Sequence, residues 1–167
     1  NKEPISGVLS ELILDQSLDI LEVASGPGQH ICHFGAQFPK CSFQPTERSA
    51  ELLQSIGSWA SQMELNNIQP PTLLDVNVSN WNVAAFDLVV AINFLHMVTK
   101  ETVSAFLKGS SQTLRSGGHL VVYDCFTYDG LHVSDSNRQF DQHLRATTPG
   151  RVYAFELVSQ WANQWGL

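Results

Sequence analysis

Three acidic residues and a pair of glycines set the chemistry open to this chain. Glu22 stands in an apolar run, Asp19-Ile20-Leu21-Glu22-Val23-Ala24, that leads into the turn Ser25-Gly26-Pro27-Gly28. Gly26 and Gly28 place no Cβ between the backbone and a ligand lying across the end of that run. Glu47 and Asp75 follow two later apolar runs, and both are acceptors: Glu47 for the two hydroxyls of a ribose, Asp75 for an adenine amino group, with Val76 beside it to pack on the ring. His30, one turn into the segment after the glycines, is a partner for a carboxylate at the far end of such a ligand. Asn93 and His96 come after the most continuous apolar run of the chain, and a neutral imidazole there can take a proton from a hydroxyl or an amine. The expectation is a nucleotide-cofactor cradle with Asn93 and His96 as candidates for catalysis.

The spacing separates one cofactor from another. A dinucleotide turn wants G-x-G-x-x-G or Ala in the last place, so that the helix can pack close to the strand, and the frame starting at Gly26 puts Ile31 there. Glu22 would also repel a pyrophosphate. The same carboxylate suits a cation. S-adenosylmethionine carries an ammonium, a sulfonium and a ribose but no phosphate, and it fits both the acid and the tight turn; an NAD-linked oxidoreductase is held back by Ile31 and Glu22.

Alternating segments must position these groups. Val8, Leu9, Leu12 and Ile13 give an opening amphipathic helix, Asp19 to Ala24 a buried strand, and Ile31, Phe34 and Phe38 a helical stripe whose N-terminus aims free N–H groups at the glycine turn. Ser42 to Pro45 is a brief second strand. A long helix from Ser49 carries Leu52, Leu53, Ile56, Trp59, Ala60 and Met63 on its expected buried side, and Pro70-Pro71 precede a third strand over Thr72 to Val76. Phe86 to Ile92 is continuous and β-branched, as a central strand covered on both faces should be. Val103 to Leu114 reads as helix, Arg115 to Gly118 as a turn and His119 to Cys125 as a further buried strand. Thr127 to Ser136 reads as a loop, with helices over Asn137 to Arg145 and Phe155 to Trp165. The order implies an α/β fold: a doubly wound, mostly parallel sheet with helices on both faces. Trp59, Trp81, Trp161 and Trp165 read as packing groups.

Bulk properties narrow the partners. At 167 residues the chain is expected to be one domain, residues 1–167. Its net charge of −7 and nine dispersed Lys and Arg count against nucleic acid. Cys32, Cys41 and Cys125 have neither disulfide-framework nor zinc spacing, so no metal is expected and a reducing cytoplasm is the expected location. No run approaches the roughly 18 to 20 apolar residues of a membrane span.

The residues carry a resemblance over nearly the whole chain: Asn1-Lys2-x-Pro4-Ile5, Leu21 to His30, Phe43-Gln44-Pro45, Leu74-Asp75-Val76, Asn93-x-x-His96, Gly117-Gly118, Gly130-x-His132, Ser136-Asn137-x-x-Phe140-Asp141 and Leu144-Arg145. In these the sequence resembles the class I S-adenosylmethionine-dependent methyltransferases and, more narrowly, the small methyltransferase-like family of unknown function (methyltransferase-like 26 type). The resemblance implies cofactor contacts at Glu22, Gly26, Gly28, Glu47 and Asp75, to which Ala24, His30, Val76 and Asn93 are added by position. It also weights Tyr123, Tyr128, His132, Asn137 and Asp141 as lining for an acceptor, a small molecule or a protein side chain. Ala24 stands where many members carry Gly, and Glu47 where relatives more often carry Asp. Thr147 to Tyr153 departs from the family's continuation, and the chain ends at Gly166-Leu167, so it is expected to be truncated at both ends and to lack a C-terminal strand pair. A noncatalytic interaction module is the alternative. Acceptor and oligomeric state are left open by the sequence.

Overall fold

The computed structural model describes all residues, 1–167, and the chain divides into two compact units. The first comprises residues 1–75, 83–91 and 113–121. In it α1 (Lys2–Ile13), β1 (Asp19–Val23), α2 (Gln29–Gln37), β2 (Ser42–Glu47), α3 (Ala50–Gln62) and β3 (Thr72–Leu73) precede most of β4 (Phe86–Ile92) and of β5 (Leu114–Tyr123). The strands form a five-stranded parallel sheet flanked by helices, in the order β3-β2-β1-β4-β5. β1 is central, with Ile20 opposite Phe43 of β2 on one side and Leu88 of β4 on the other. Chain order reverses on either side of β1, and in open α/β sheets the carboxyl ends of the strands at such a switch point receive ligands.

Both central strands are buried because they are apolar on both faces. Ile20, Leu21 and Val23 of β1 and Leu88, Val89, Val90 and Ala91 of β4 are each almost wholly enclosed. The edges differ from the expectation. β3 is two exposed residues, Thr72 and Leu73, rather than a strand to Val76. β5 begins at Leu114, absorbs the expected turn at Arg115 to Gly118 and contains no fully buried residue. An edge strand has a partner on one side only, so an apolar run there does not become core. α3 buries only Ile56 and Ala60, while Trp59 and Met63 are exposed. Its start is fixed by Ser49, whose Oγ accepts from the Leu52 N–H at 3.4 Å.

The second unit comprises residues 76–82, 92–112 and 122–167. A 3-10 turn over Leu95–Met97 leads to α4 (Lys100–Thr113), and after β5 come β6 (Phe126–Tyr128), β7 (Leu131–His132), α5 (Asp135–Thr147), β8 (Tyr153–Ala154) and α6 (Phe155–Asn163). Its core holds Trp81, Leu95, Val103, Phe106, Leu107, Leu144, Val152 and Trp161. The expected loop at Thr127 to Ser136 instead contains a hairpin, with Tyr128 opposite Leu131 across Asp129-Gly130. Both turn residues have positive φ, 50° and 76°, which is the backbone that suits a two-residue hairpin turn. β6, β7 and β8 form a separate small sheet. Trp81 and Trp161 are buried, whereas Trp165 is partly exposed beneath Lys108. No helix is long and apolar enough to cross a membrane.

Candidate functional site

In the first unit the end of β1 and the end of β2 are laced into one cradle. Ser25 N–H donates to the Thr46 carbonyl at 2.9 Å, Thr46 Oγ1 to the Glu22 carbonyl at 2.8 Å, and Gly28 N–H to the Ser25 carbonyl at 3.1 Å. Glu47, the last residue of β2 rather than one after it, reaches across: its Oε2 accepts from Gly26 N–H at 3.0 Å. Its Oε1 accepts from Arg48 N–H at 2.7 Å and Ser49 N–H at 3.2 Å. A carboxylate offers about four acceptor positions. One is thus spent on the glycine turn and two on the backbone just after β2, and one on Oε2 stays open to a ligand hydroxyl, where the sequence led us to expect Glu47 to take two.

The two glycines have different reasons to be glycine. A Cβ on Gly26 would meet nothing within 4 Å, and its φ of 56° is left-handed, so the turn presents bare backbone to open space. A Cβ on Gly28 would lie 3.0 Å from Ile56 Cα, which makes Gly28 the point where α3 comes close to the turn. Ala24 shares the left-handed backbone, with φ of 56°. A non-glycine residue held there is strained, so Ala24→Gly is expected to raise stability by up to about 1 kcal/mol, read as the urea midpoint.

Glu22 is the chemically unusual group. It is 3% exposed, and its Oε2 is sealed from solvent with no hydrogen-bond partner. Burial pushes its carboxyl up to about 8, the Ser25 hydroxyl opposes this, and the Glu47 charge adds to it. Glu22 is therefore a neutral acid at pH 7, not the standing carboxylate that the sequence suggested. Asp75 is half-buried at the end of the unit, one residue after Leu74 N–H bonds to the Glu47 carbonyl at 3.0 Å. His30 Nε2 lies 3.1 Å from Asn1 Oδ1, and burial with Lys2 and the chain's amino terminus lowers its pKa, so it is a neutral ring engaged with the first residue.

The second unit gathers a different set. Val76 is buried and its carbonyl accepts from Trp81 Nε1 at 3.3 Å. Asn93 is exposed, left-handed at φ 54°, and donates its N–H to the Tyr123 carbonyl at 2.8 Å. His96 Nδ1 lies 2.5 Å from Oδ1 of Asp124, a carboxylate only 1% exposed. Asp124 also accepts from Leu95 N–H and Cys125 N–H, each at 2.7 Å. The sequence reading missed Asp124, although it is the acid directly after β5. The rule that selected acids at the ends of the other strands would have found it.

Cys125 Sγ, Asp124 and His96 bring their ligand atoms within 4.8 Å of one another. Burial and the Asp124 charge push the Cys125 thiol up to about 12, and its Sγ donates to Asp124 Oδ1 at 3.5 Å.

The expected acceptor-lining residues separate. Asp141 is buried, its Oδ1 accepting from Val152 N–H at 2.8 Å and its Oδ2 from Arg145 Nε at 3.0 Å, with His132 Nε2 at 3.5 Å. It fastens α5 to Val152, the residue before β8, so its oxygens are committed inside the unit. His132 Nδ1 is buried without a partner. Asn137 lies in the first turn of α5, its N–H capped by Ser134 Oγ at 3.1 Å. Tyr128 is exposed and stacks on Phe155 with ring centroids 5.4 Å apart, and Tyr123 is exposed beside Asp124.

The fold is shared with methyltransferases. An O-methyltransferase family protein from Burkholderia thailandensis superimposes with a TM-score of 0.85 at 16% identity, covering 99% of this chain and 51% of that one. The O-methyltransferase family 2 protein from Planctomyces limnophilus, solved with apigenin, gives 0.81 at 21%, covering 93% and 46%. Human N-acetylserotonin methyltransferase, solved with SAM, gives 0.80 at 16%, covering 96% and 45%. The chain spans about half the length of these proteins, and at such identities the likeness is one of fold. Over residues 1–167 the sequence matches the family model described as protein of unknown function (DUF938), and the chain belongs to that family.

Proposed function

We propose that this chain is an S-adenosylmethionine-dependent methyltransferase of the methyltransferase-like 26 type, acting in the cytoplasm on a small molecule or a protein side chain. The observation that carries the reading is the cradle itself: Gly26 presents bare backbone to open space and donates to Glu47, which keeps one acceptor position free, while Glu22 on β1 holds a buried, partnerless carboxyl oxygen. An orphaned acid fits a cationic ligand, and a backbone turn without a Cβ fits a ligand that lies against it. In this reading Glu22, Ala24, Gly26, Gly28, Glu47 and Asp75 hold the cofactor. The bound cofactor would supply a methyl group on a sulfonium, electrophilic enough to pass to a nucleophile. The protein's share is to bind, to orient and to keep water out, since in-line displacement gains most from positioning. Glu22 would give up its proton to become the counter-charge of the ligand's cation, and Glu47 would hold a ribose hydroxyl while its other contacts keep the turn in shape.

A second reading, a noncatalytic interaction module, is favoured by the exposed edge strand β5. Thermal unfolding separates the two. A ligand at a hundred times its dissociation constant stabilises by about 2.7 kcal/mol. S-adenosylmethionine and S-adenosylhomocysteine should both raise the midpoint, NAD should not, and Glu47→Ala should lose the response. A shift with NAD alone would overturn the methyltransferase reading, and no shift with any nucleotide would favour the interaction module.

A further inference from the structure

The hairpin at Asp129-Gly130 carries apolar side chains that the core of the second unit does not cover. Tyr128 is 46% exposed, Leu131 71% and Phe155 46%, and Val133 just after the hairpin is 63% exposed. Three of these are gathered by the fold itself: Tyr128 pairs across the turn with Leu131, and its ring stacks on Phe155 with centroids 5.4 Å apart. Phe126 meets the same Phe155 ring edge-on at 5.9 Å. The small sheet fixes this arrangement, because β6 runs parallel to β8 with Thr127 opposite Ala154, and Phe155 is the next residue. Beside the hairpin lies a cavity of about 420 Å³, with Leu131 and Arg138 in its wall. Scattered exposed apolar residues are ordinary, whereas a gathered set marks a surface of contact.

Charge decides what such a surface can meet. Asp129 and Glu156 are exposed beside the stacked rings and are tied together by the Asp129 N–H, which donates to Glu156 Oε1 at 3.1 Å. Neither forms an ion pair, and Arg138 in the cavity wall is already paired with Asp135 at 3.1 Å. Two other rings of the unit have cations from the chain itself: Lys100 Nζ lies 5.3 Å from the Trp161 centroid and Lys108 Nζ 5.5 Å from that of Trp165. The Tyr128–Phe155 stack has two carboxylates and no cation. An aromatic face attracts a cation and a carboxylate pairs with one, so the complementary group is an Arg or a Lys with apolar neighbours. A nucleic acid or an anionic membrane would be repelled by the two acids. A second copy meeting the patch face to face would set the same carboxylates against each other.

We propose that the Asp129-Gly130 hairpin, with Phe155 and Glu156, is a docking surface for a basic segment of a partner protein. An Arg or Lys of that segment sets over the Tyr128 ring within reach of Asp129 and Glu156, and its apolar neighbours cover Leu131 and Val133. Tyr128 is the anchor, because tyrosine and arginine are the side chains that most often carry the affinity of a contact, and the two acids set its charge preference. The surface lies wholly in the second unit, so it needs no cofactor in the cradle.

The probe is a fluorescein-labelled peptide of alternating Arg and Leu, with a peptide of alternating Glu and Leu as its counterpart, each titrated with the whole chain and read by fluorescence anisotropy. The Arg peptide should bind and the Glu peptide should not. Tyr128→Ala should weaken binding roughly tenfold, and Leu131→Ala and Glu156→Gln roughly threefold to tenfold each. Glu51→Gln, at an exposed acid on α3 in the other unit, should change nothing. All four side chains are exposed, and far-ultraviolet circular dichroism checks that the variants are folded. Nitrogen-15 NMR of the wild-type chain locates the peptide without any substitution, and its shifts should gather at residues 126–133 and 153–157. Shifts gathered on the helices of the first unit, equal binding of the two peptides, or no binding of the Arg peptide would overturn the proposal. So would an affinity that Tyr128→Ala and Glu156→Gln both leave unchanged. A wild-type dimer in sedimentation equilibrium that Leu131→Ala dissolves would replace the partner with a second copy, and cosedimentation with phosphatidylserine vesicles that the same variant abolishes would replace it with a membrane; either result overturns the proposal.

Discussion

Glu22→Gln will abolish a steep pH dependence of stability that the wild-type chain shows between about pH 4.5 and pH 8. Unfolded, this carboxyl has its ordinary pKa of 4.5; folded, burial raises it to about 8. The folded state therefore binds the proton more tightly than the unfolded state. The stability this confers is fully present below 4.5 and is lost as pH rises through 8. At about 1.4 kcal/mol for each pH unit, the gap between 4.5 and about 8 amounts to on the order of 5 kcal/mol. A neutral glutamine of the same shape has nothing to ionise. Urea unfolding at pH 5 should find the variant close to wild type, and at pH 8.5 it should find the variant more stable by several kcal/mol. A wild-type midpoint that stays level over this range would refute the assignment.

The same residue ties stability to the proposed function. If a cation enters the cradle and Glu22 ionises to meet it, binding must release a proton wherever the free protein holds one, that is below about pH 8. Cofactor affinity should then rise about tenfold for each pH unit up to that point. Calorimetry in two buffers of different ionisation heat should detect one proton released at pH 7. Glu22→Gln should bind weakly and release none.

Some elements were legible in the sequence for a simple physical reason. Ile20, Leu21 and Val23 of β1 and Leu88 to Ile92 of β4 are apolar without alternation, and a strand covered on both faces has that pattern, so β1 reads as buried and β4 as central from the sequence. β5 has the same look over Leu120 to Tyr123, yet it lies at the sheet's edge with none of its residues buried, because a residue run says how apolar a strand is and not how many neighbours it has. Trp59 and Met63 share helical spacing with Ile56 and Ala60 in α3, but the spacing gives a face and not its width, and the outer positions are exposed. The hairpin at Asp129-Gly130 is readable from that dipeptide between Tyr128 and Leu131, although the polar run around it reads as a loop. In the candidate site, the acids at the strand ends were legible because strand ends are where ligands sit. That Asp141 acts as an internal fastening was not, since its partner Val152 N–H lies beyond the helix that carries it.

The segment Thr147 to Tyr153, which departs from the resemblance, braces the turn that carries His96. Gly150 N–H donates to Thr148 Oγ1 at 3.1 Å, Val152 N–H to Asp141 Oδ1 at 2.8 Å, and the Tyr153 hydroxyl to the Val98 carbonyl at 2.8 Å. Gly150 is buried against the turn that carries His96, where an added Cβ would overlap the His96 carbonyl oxygen and lie 2.9 Å from the Met97 carbonyl carbon. These are backbone atoms and cannot rotate aside. Gly150→Ala must therefore displace either its own segment or the His96 turn, at a cost of roughly 3 kcal/mol. For a chain of this length that lowers the melting temperature by roughly 6–12 °C. Gly57→Ala is the natural control, because a Cβ in that part of α3 meets nothing within 4 Å and alanine favours a helix, so stability should rise by up to about 1 kcal/mol. The two substitutions should therefore part in one measurement: a Gly150→Ala melting temperature level with wild type would show that the Thr147 to Tyr153 segment yields freely and does not brace the His96 turn.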